Sequence, residues 1–427
     1  MTLTILRDLH LEEPAVAGPG SPNFFNGRLL TGEDLAALQE AERSANGALG
    51  RLGGPGVAHG LYVTLLDRGA GATPRVQVGA GAAVTADGVV LSLAGAVRLE
   101  LRRTPPPRGA VVSAFAQCTP AAPAPAGQAQ LHLLTIGPAP PSAQGRARVL
   151  SLSDEAAPCA VDRLADAVLL RLRPFSVPLA PGPATWLRNR VAALLLGDRG
   201  ADEALLADEP FTADRGGLLE ALSGRCYGTD EVPLAVVRWP TSAAGVEFVD
   251  CWAARRRCHQ RGVTDDLGVL ADNRRAVRGQ ARLGQIQDHL AALIDAGTAA
   301  SVVAREHAVA LPPAFVLQLR DATAPAAFDA ATFLRGLTVR RESPPAGGPW
   351  VEGARAGELL AAAATHPAVD VTATPPEALW AYALRPRRRG FGTPRHLLVV
   401  SGHVRYAANA QFDLAHYDQA NYAVPTI

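Results

Sequence analysis

Cys251, Cys258 and His259 form the densest group of side chains that could hold a metal ion, with Asp265 and Asp266 shortly after them. Thiolate, imidazole and carboxylate groups are the ligands that zinc takes in proteins. A structural zinc site usually contains a close pair such as Cys-x-x-Cys, whereas six residues separate these two cysteines and no second pair follows. We therefore expect no metal site, and we interpret the cysteines as ordinary structural side chains.

Patterns for nucleophilic catalysis and for phosphate binding are incomplete in this chain. Ser401 and His403 would share one face of a strand, because side chains alternate along it. An activated serine also needs an orienting acid and an oxyanion hole, and the sequence has no Gly-x-Ser-x-Gly turn. The glycine-rich run at 53–56 lacks the lysine and the hydroxyl residue of a P-loop. We expect a protein that is not an enzyme and binds no cofactor.

The strongest run of charge contains four arginines, namely Arg385, Arg387, Arg388 and Arg389. Two interpretations stay open for it. The run could form a solvated loop, or it could contact an acidic neighbouring subunit, because the planar guanidinium is weakly hydrated and favoured at interfaces. These four arginines are the candidate interface residues.

Composition limits the classes of protein to which the chain can belong. A hydrophobic content of 48% in 427 residues predicts sizeable cores. A net charge of +1 argues against a nucleic-acid-binding protein, which needs a strong positive field. The first residues lack the regions of a signal peptide, and no apolar run reaches the roughly 18 residues of a membrane span. We expect synthesis in the cytoplasm without a signal peptide, and neither a membrane span nor nucleic acid as a partner.

A capped helix is the first of the elements that must position any site. The pair at 26–27, Asn-Gly, predicts a turn, and Thr31 stands at the expected N-cap with Asp34 three residues later, as in a capping box. Leu30 and Leu35 occupy the positions of a hydrophobic staple. One face of the helix is apolar, and its members are Leu35, Leu38, Ala45, Leu49 and Leu52.

The rest of the chain predicts an α+β fold. Strands are expected at 61–66, 75–78, 82–85, 89–93, 97–101, 111–116, 131–136 and 168–172, with a meander at 75–101 and a loop at 119–128. Helices are expected at 184–196, 218–222 and 265–294, and a two-strand unit at 234–238 and 246–249. We predict three domains. Residues 1–182 form a helix plus a β-rich domain, residues 183–300 a middle segment with the hairpin and the long helix, and residues 301–427 a separate C-terminal α+β domain.

Two N-terminal motifs carry a resemblance to a known family. One motif contains Phe24-Phe25-Asn26-Gly27, Leu30-Thr31 and Asp34-Leu35, and the other contains Gly56-Val57, Gly60-Leu61 and Val63. With the helix between them, they resemble proteins encoded with phage-tail-like contractile injection systems. Weaker similarity follows at 76–88, 232–237, 248–250, 255–256 (an arginine pair) and 311–313. We use the name scaffold motif for the residues Phe24, Phe25, Asn26, Gly27, Thr31, Asp34 and Gly60.

The resemblance implies a non-enzymatic structural component of a contractile injection particle, at the baseplate or as an attached fibre-like element. Its partners would be other subunits, and it would be assembled into an intracellular or released particle. We also expect a homo-oligomer, because most soluble assemblies are symmetric. Contacts would involve the C-terminal domain or the helix at 265–294, which could equally connect domains or pack against its own domain.

A second hypothesis belongs to another class of protein. Loops on the β-rich region could form a module that binds a cell surface or a carbohydrate, or a hydrolase of that type, acting independently of a particle. Exposed aromatic residues on one face would favour this hypothesis. Aromatic residues make up only 5% of the chain and the tryptophans are dispersed, so the structural component is favoured.

Overall fold

A computed structural model describes residues 23, 25–27, 29–101, 131–148, 159–175, 177, 182–198, 217–240, 245–259, 274–321, 324–341, 351–374, 376–385, 395–402 and 404. These residues form both helices and strands, and most strand pairs are antiparallel. The predicted α+β class is confirmed. The expected strand at 111–116 and the expected loop at 119–128 lie outside the described residues.

The described residues contain eight helices. They are α1 (Gly32–Gly53), α2 (Ala184–Leu196), α3 (Leu218–Leu222), α4 (Cys251–Ala254), α5 (Arg274–Asp295), α6 (Ala304–His307), α7 (Ala330–Phe333) and α8 (Gly353–Ala363), with a 3-10 turn at Ala299–Ser301. The predicted bounds of α2 and α3 are confirmed. Helix α5 covers the described part of the predicted long helix, and Gly297 follows it with a φ of 69°, as a glycine that ends a helix does.

Two small antiparallel sheets follow α1. Their strands are β1 (Gly56–Gly60), β2 (Val63–Asp67), β3 (Arg75–Val78), β4 (Gly81–Val84), β5 (Val90–Leu93) and β6 (Val97–Glu100). Strand β4 lies between β1 and β5, whereas β3 lies between β2 and β6. The predicted meander is therefore wrong in its pairing, because the chain alternates between two sheets. The strand positions at 75–78 and 97–101 are confirmed within a residue.

The single strand predicted at 61–66 is wrong at its start. Leu61 is fully buried and has a φ of 56°, so the chain turns there between β1 and β2. Its N–H donates to the carbonyl of Ala80 at 3.0 Å. A continuous apolar run does not reveal such a turn, since the turn depends on a backbone contact with a distant strand.

A four-stranded antiparallel sheet forms the centre of the chain. Its strands are β7 (Leu131–Arg148), β8 (Cys159–Phe175), β9 (Val232–Arg238) and β10 (Phe248–Asp250), in the order β10-β9-β7-β8. Leu134 and Ile136 pack with the N-terminal sheets, and Leu131 and Leu133 pack against α2, as alternation along a strand requires. The sheet combines strands from before and after residue 182, and the division into three domains stays a prediction.

The C-terminal part contains a five-stranded mixed sheet and a separate two-stranded sheet. The strands of this part are β11 (Ala310–Leu311), β12 (Ala314–Gln318), β13 (Thr338–Arg341), β14 (Val351–Glu352), β15 (Val369–Asp370), β16 (Ala378–Arg385) and β17 (His396–Ser401). Strands β12-β17-β16-β13 lie side by side, β14 pairs with β16, and β11 pairs with β15. Ile286, Leu290 and Leu293 of α5 are buried in the core of this part. The apolar face of α5 therefore packs within its own chain, and these three residues are not available to another subunit.

The capping box predicted for α1 is confirmed. The Asp34 N–H donates to Thr31 Oγ1 at 3.2 Å, and the Thr31 N–H donates to Asp34 Oδ2 at 3.1 Å. The two staple leucines, Leu30 and Leu35, are 52% and 50% exposed. The cap thus satisfies backbone donors at a helix start that is largely in solvent.

Replacing Thr31 by Ala should loosen the first turns of α1, because an N-cap side chain stabilises a helix by about 1 kcal/mol. We expect amide hydrogen exchange at residues 35–38 to become about fivefold faster, the factor that corresponds to this energy. Thr31→Ser, which keeps the hydroxyl, is the control and should exchange like the unchanged protein. Equal exchange in all three proteins would contradict the stabilising role of the cap.

Candidate interaction site

The three residues of the possible metal cluster have separate backbone partners. The Cys251 thiol donates to the carbonyl of Val63 at 3.0 Å and accepts from the N–H of the same residue at 3.2 Å. The Cys258 thiol donates to the carbonyl of Gly56 at 3.3 Å, and Nδ1 of His259 lies 3.1 Å from a neighbouring carbonyl oxygen. Burial raises the pKa of Cys251 to about 12, so this thiol stays protonated at neutral pH.

The remaining candidate residues from the sequence include some that the structure describes and some that lie outside the described residues. In the part of the chain that the structure describes, no three His, Cys, Asp or Glu side chains come together as a metal site. Ser401 is buried at the end of β17, and the backbone of Arg385 closes β16. The candidates outside the described residues are Phe24, Asp265, Asp266, Arg387, Arg388, Arg389 and His403. The interface role of the arginines stays a prediction.

Gly60 of the scaffold motif contacts Arg255 of the arginine pair. The guanidinium of Arg255 lies 4.1 Å from the centre of the Tyr62 ring, and it donates to the carbonyl of Gly60 at 2.6 Å. Gly60 has a φ of 60°, and a Cβ there would lie 2.0 Å from the carbonyl oxygen of Ala80. Gly56 has a φ of 140°, and a Cβ there would lie 2.7 Å from backbone atoms. At both positions another part of the backbone comes too close for any residue but glycine. This packing explains the spacing of the two glycines without a catalytic or binding role.

The guanidinium of Arg256 caps the C-terminal ends of two helices. One terminal nitrogen donates to the carbonyls of Trp252, Ala253 and Arg255 at 3.1–3.2 Å, and the other donates to the carbonyl of Leu195 at 3.2 Å. Burial lowers the pKa of this guanidinium. Since Leu195 stands in the last turn of α2, Arg256 joins the ends of α2 and α4.

A polar network centred on Asp250 joins three elements. Asp250 has no exposed surface, and its carboxylate accepts from the N–H of Ala253 at 2.9 Å as the N-cap of α4. The same carboxylate accepts from Arg188 of α2 at 2.8 Å and from Gln285 of α5 at 3.1 Å. Arg188 also contacts the exposed Asp288 at 3.2 Å. Because every bond of Asp250 comes from a different segment, the carboxylate fixes their relative positions.

Asn189 extends this network into the C-terminal part. Its side-chain oxygen accepts from the N–H of Val309 at 2.8 Å, and its amide donates to the carbonyl of Ala310 at 3.1 Å. Ala310 begins β11 and Val309 directly precedes it. Helix α2 is therefore bonded to the C-terminal part by a side chain that takes the place of a neighbouring strand.

A second cluster of charged side chains, centred on Glu231, links strands of the central sheet. Glu231, which precedes β9, accepts from Thr135 at 2.7 Å, from Arg171 at 3.0 Å and from Arg173 at 3.2 Å. Burial opposes the charge of this carboxyl, but the hydrogen bonds from Arg173 and Thr135 keep its pKa below the usual value. The group joins β7, β8 and β9, and its carboxylate is fully engaged in that role.

A cavity of about 110 Å³ lies beside α3, lined in part by Glu220, Tyr227, Glu231 and Arg256. Each of these polar groups bonds within the protein: Glu220 accepts from the N–H of Gly217 at 2.9 Å, and the Tyr227 hydroxyl donates to a carbonyl at 3.2 Å. Pockets that hold drug-sized ligands measure roughly 300–1,000 Å³. The size and the bonding of this cavity favour a structural interpretation.

The feature that remains to be explained is the surface of α1. No residue of this 22-residue helix is buried. Leu35 and Leu38 are 50% and 41% exposed, and Leu49 and Leu52 are 65% and 66% exposed. We call these four residues the leucine face. An apolar stripe of this kind in solvent is typical of a surface that binds another protein.

Helix α1 contacts its own chain through the opposite side. A Cβ at Gly50 would lie 2.0 Å from the carbonyl oxygen of Gly88, and a Cβ at Gly88 would lie 1.9 Å from that of Gly47. Arg51 donates to the carbonyl of Asp87 at 3.1 Å. Glycines allow the helix to approach the β4–β5 turn closely, and the leucines point away from that contact. Sequence periodicity identified the apolar face, but it gave no sign that the described part of the chain leaves this face uncovered.

Comparison of the chain with protein-family models, with curated proteins and with solved structures gave no match. Among the described residues, no helix combines the length and the apolar character that crossing a membrane requires. The leucine face of α1 is the candidate interaction site that the geometry itself provides.

Replacing Asp250 by Ala should destabilise the protein by about 3 kcal/mol or more, because the buried guanidinium of Arg188 loses its buried counter-charge. Chemical denaturation gives this free energy of unfolding. Asp288→Ala is the matched control, since it removes the exposed partner of the same arginine and should cost less than about 1 kcal/mol. Equal losses in the two variants would contradict the central role of Asp250.

Acidification should destabilise the protein through His289, a buried residue of α5 close to Arg188, Asp250 and His307. Burial, with Arg188 as a second cause, lowers its pKa from 6.5 to about 3. Between these values the unfolded chain binds a proton that the folded protein does not. Stability therefore falls as the pH falls through this window, by up to about 1.4 kcal/mol per pH unit from this residue.

The measurement is the free energy of unfolding at several pH values between 4 and 7. His289→Leu should have a shallower dependence on pH than the unchanged protein, because the proton uptake of the unfolded chain is removed. If the slope of His289→Leu stays unchanged, the assigned pKa is wrong.

Proposed function

We propose that this chain is a non-enzymatic structural component of a phage-tail-like contractile injection particle, at the baseplate or as an attached fibre-like element. The observation that carries the proposal is the exposed leucine face of α1. This helix lies between the two motifs that carry the resemblance. A component that presents an uncovered apolar helix is suited to assembly, because the surface is covered only when a partner binds.

The contacts of the scaffold motif support an architectural role. Gly60 lies under the guanidinium of Arg255, and Thr31 and Asp34 cap the helix. These residues position α1 and the first strands, and their bonds are made within the chain. A motif whose members set backbone geometry fits a subunit that must present a surface in a fixed orientation.

The proposed partners are other subunits of the particle, including further copies of this chain. Synthesis in the cytoplasm and assembly into an intracellular or released particle belong to the same proposal. The competing hypothesis, a cell-surface or carbohydrate-binding module that acts alone, predicts a protein that never enters a particle. The two hypotheses therefore differ in a single measurable property, the presence of the chain in purified particles.

The test uses a strain in which the gene is deleted, with particles examined by mass spectrometry and electron microscopy. We expect the unchanged strain to contain the chain in its particles, and the deletion strain to yield incomplete or inactive particles. Expression of the unchanged chain should restore them. Complete and active particles that never contain this chain would overturn the proposal and favour the independent binding module.

A further inference from the structure

We propose that α1 pairs with α1 of a second copy of this chain, in an antiparallel arrangement that buries the leucine face of both copies. The inference deepens the proposed function by naming the partner of the exposed helix. It rests on the proposed function only for the statement that the pairing operates inside a particle. The pairing itself is argued from the spacing, the position of Glu42 and the exposed surface of α1.

The spacing along α1 is that of a two-stranded helical pair. The leucines occupy positions 35, 38, 49 and 52, and Glu42 and Ala45 complete the series with steps of three and four residues. This alternation is the heptad pattern, in which one seam of each helix faces the other. The seam runs for almost the whole helix, whose 22 residues span about 33 Å.

The same series is symmetric about a point between Arg43 and Ser44, and this symmetry selects the direction of pairing. In an antiparallel pair centred there, Leu35 meets Leu52 of the second copy and Leu38 meets Leu49. Glu42 meets Ala45, whose small side chain leaves the carboxylate room to reach solvent. In a parallel pair Glu42 would face Glu42 of the second copy, and two like charges in a seam repel each other.

The helix dipoles favour the same direction. In an antiparallel pair the dipoles of the two helices oppose each other, whereas a parallel pair aligns them. At 100° per residue most charged side chains lie well away from the leucine face, namely Glu33, Glu40, Arg43 and Arg51. The charge that decides the direction of pairing is therefore that of Glu42, which lies in the seam.

The fold leaves space for the second copy. Gly47 and Gly50, which touch the β4–β5 turn, lie roughly 170° and 110° around the helix from the centre of the leucine face at 100° per residue. The described residues of the same chain leave that face uncovered, as its exposure shows. A twofold axis through the middle of α1 therefore brings two helices together with each β-rich region on the outer side.

The first experiment measures the mass of the full chain across a series of concentrations by analytical ultracentrifugation. We expect the unchanged chain to form a dimer that dissociates on dilution. The variant Leu38→Glu with Leu49→Glu should weaken the dimer by about 100-fold or more, since each buried leucine contributes about tenfold or more. Both leucines are exposed in the single chain, so the variant should keep its fold, which circular dichroism verifies.

The matched control is Leu66→Glu, which introduces the same charge at an exposed leucine of β2. It should dimerise like the unchanged chain. A chain that stays monomeric at every concentration would overturn the inference and leave α1 to bind an unlike subunit. A dimer that Leu38→Glu with Leu49→Glu does not weaken would also overturn it, because another surface would then make the contact.

The second experiment determines the direction of pairing with a short thiol-reactive crosslinker. Leu38→Cys and Leu49→Cys are prepared as separate proteins, and the unchanged chain measures the background from native cysteines. In the antiparallel pair, positions 38 of the two copies lie about 16 Å apart along the axis, from 1.5 Å per residue. We therefore expect crosslinks only when the two variants are mixed. Crosslinking of Leu38→Cys with itself would show a parallel pair and overturn the proposed arrangement.

The outcomes separate this inference from the proposed function. Particles that contain the chain, together with a monomeric purified protein, would overturn the pairing and retain the structural role. A dimer joined through α1, together with particles that never contain the chain, would overturn the structural role and retain the pairing.

Discussion

The buried carboxylate of Asp250 is the contact on which the arrangement of the described chain depends. It caps α4, receives a hydrogen bond from Arg188 of α2 and receives another from Gln285 of α5. A buried charge of this kind is tolerated only when its partners are in place. The end of the central sheet, the two helices beside it and the helix that enters the C-terminal core therefore have one compatible arrangement.

A comparable constraint acts at the N-terminal side. Arg255, only five residues after Asp250, covers Tyr62 and bonds to Gly60. Asp250 directly precedes the short helix α4, and Arg255 directly follows it. Helix α4 therefore connects the contacts with the central helices to the contacts with the first strands. Helix α1 is attached to those strands through glycines at the β4–β5 turn. Its leucine face is thus held on a fixed support, which is what a binding surface requires.

Local signals in the sequence were sufficient for several elements. Thr31 and Asp34 predicted the start of α1, and the bounds of α2 followed from its apolar spacing. The path of the first strands was not predictable in the same way. Leu61 lies in an apolar run that suits one continuous strand, and only the backbone contact with Ala80 shows that the chain turns there.

The sequence by itself determined where α1 is capped and which faces of α1 and α5 are apolar, because these properties depend on residues a few positions apart. Only the tertiary structure decided which apolar faces are covered. The face of α5 is buried by the C-terminal sheet, whereas that of α1 is left exposed by the described part of the chain. The two helices carry similar patterns, and burial differs because it depends on which distant elements meet.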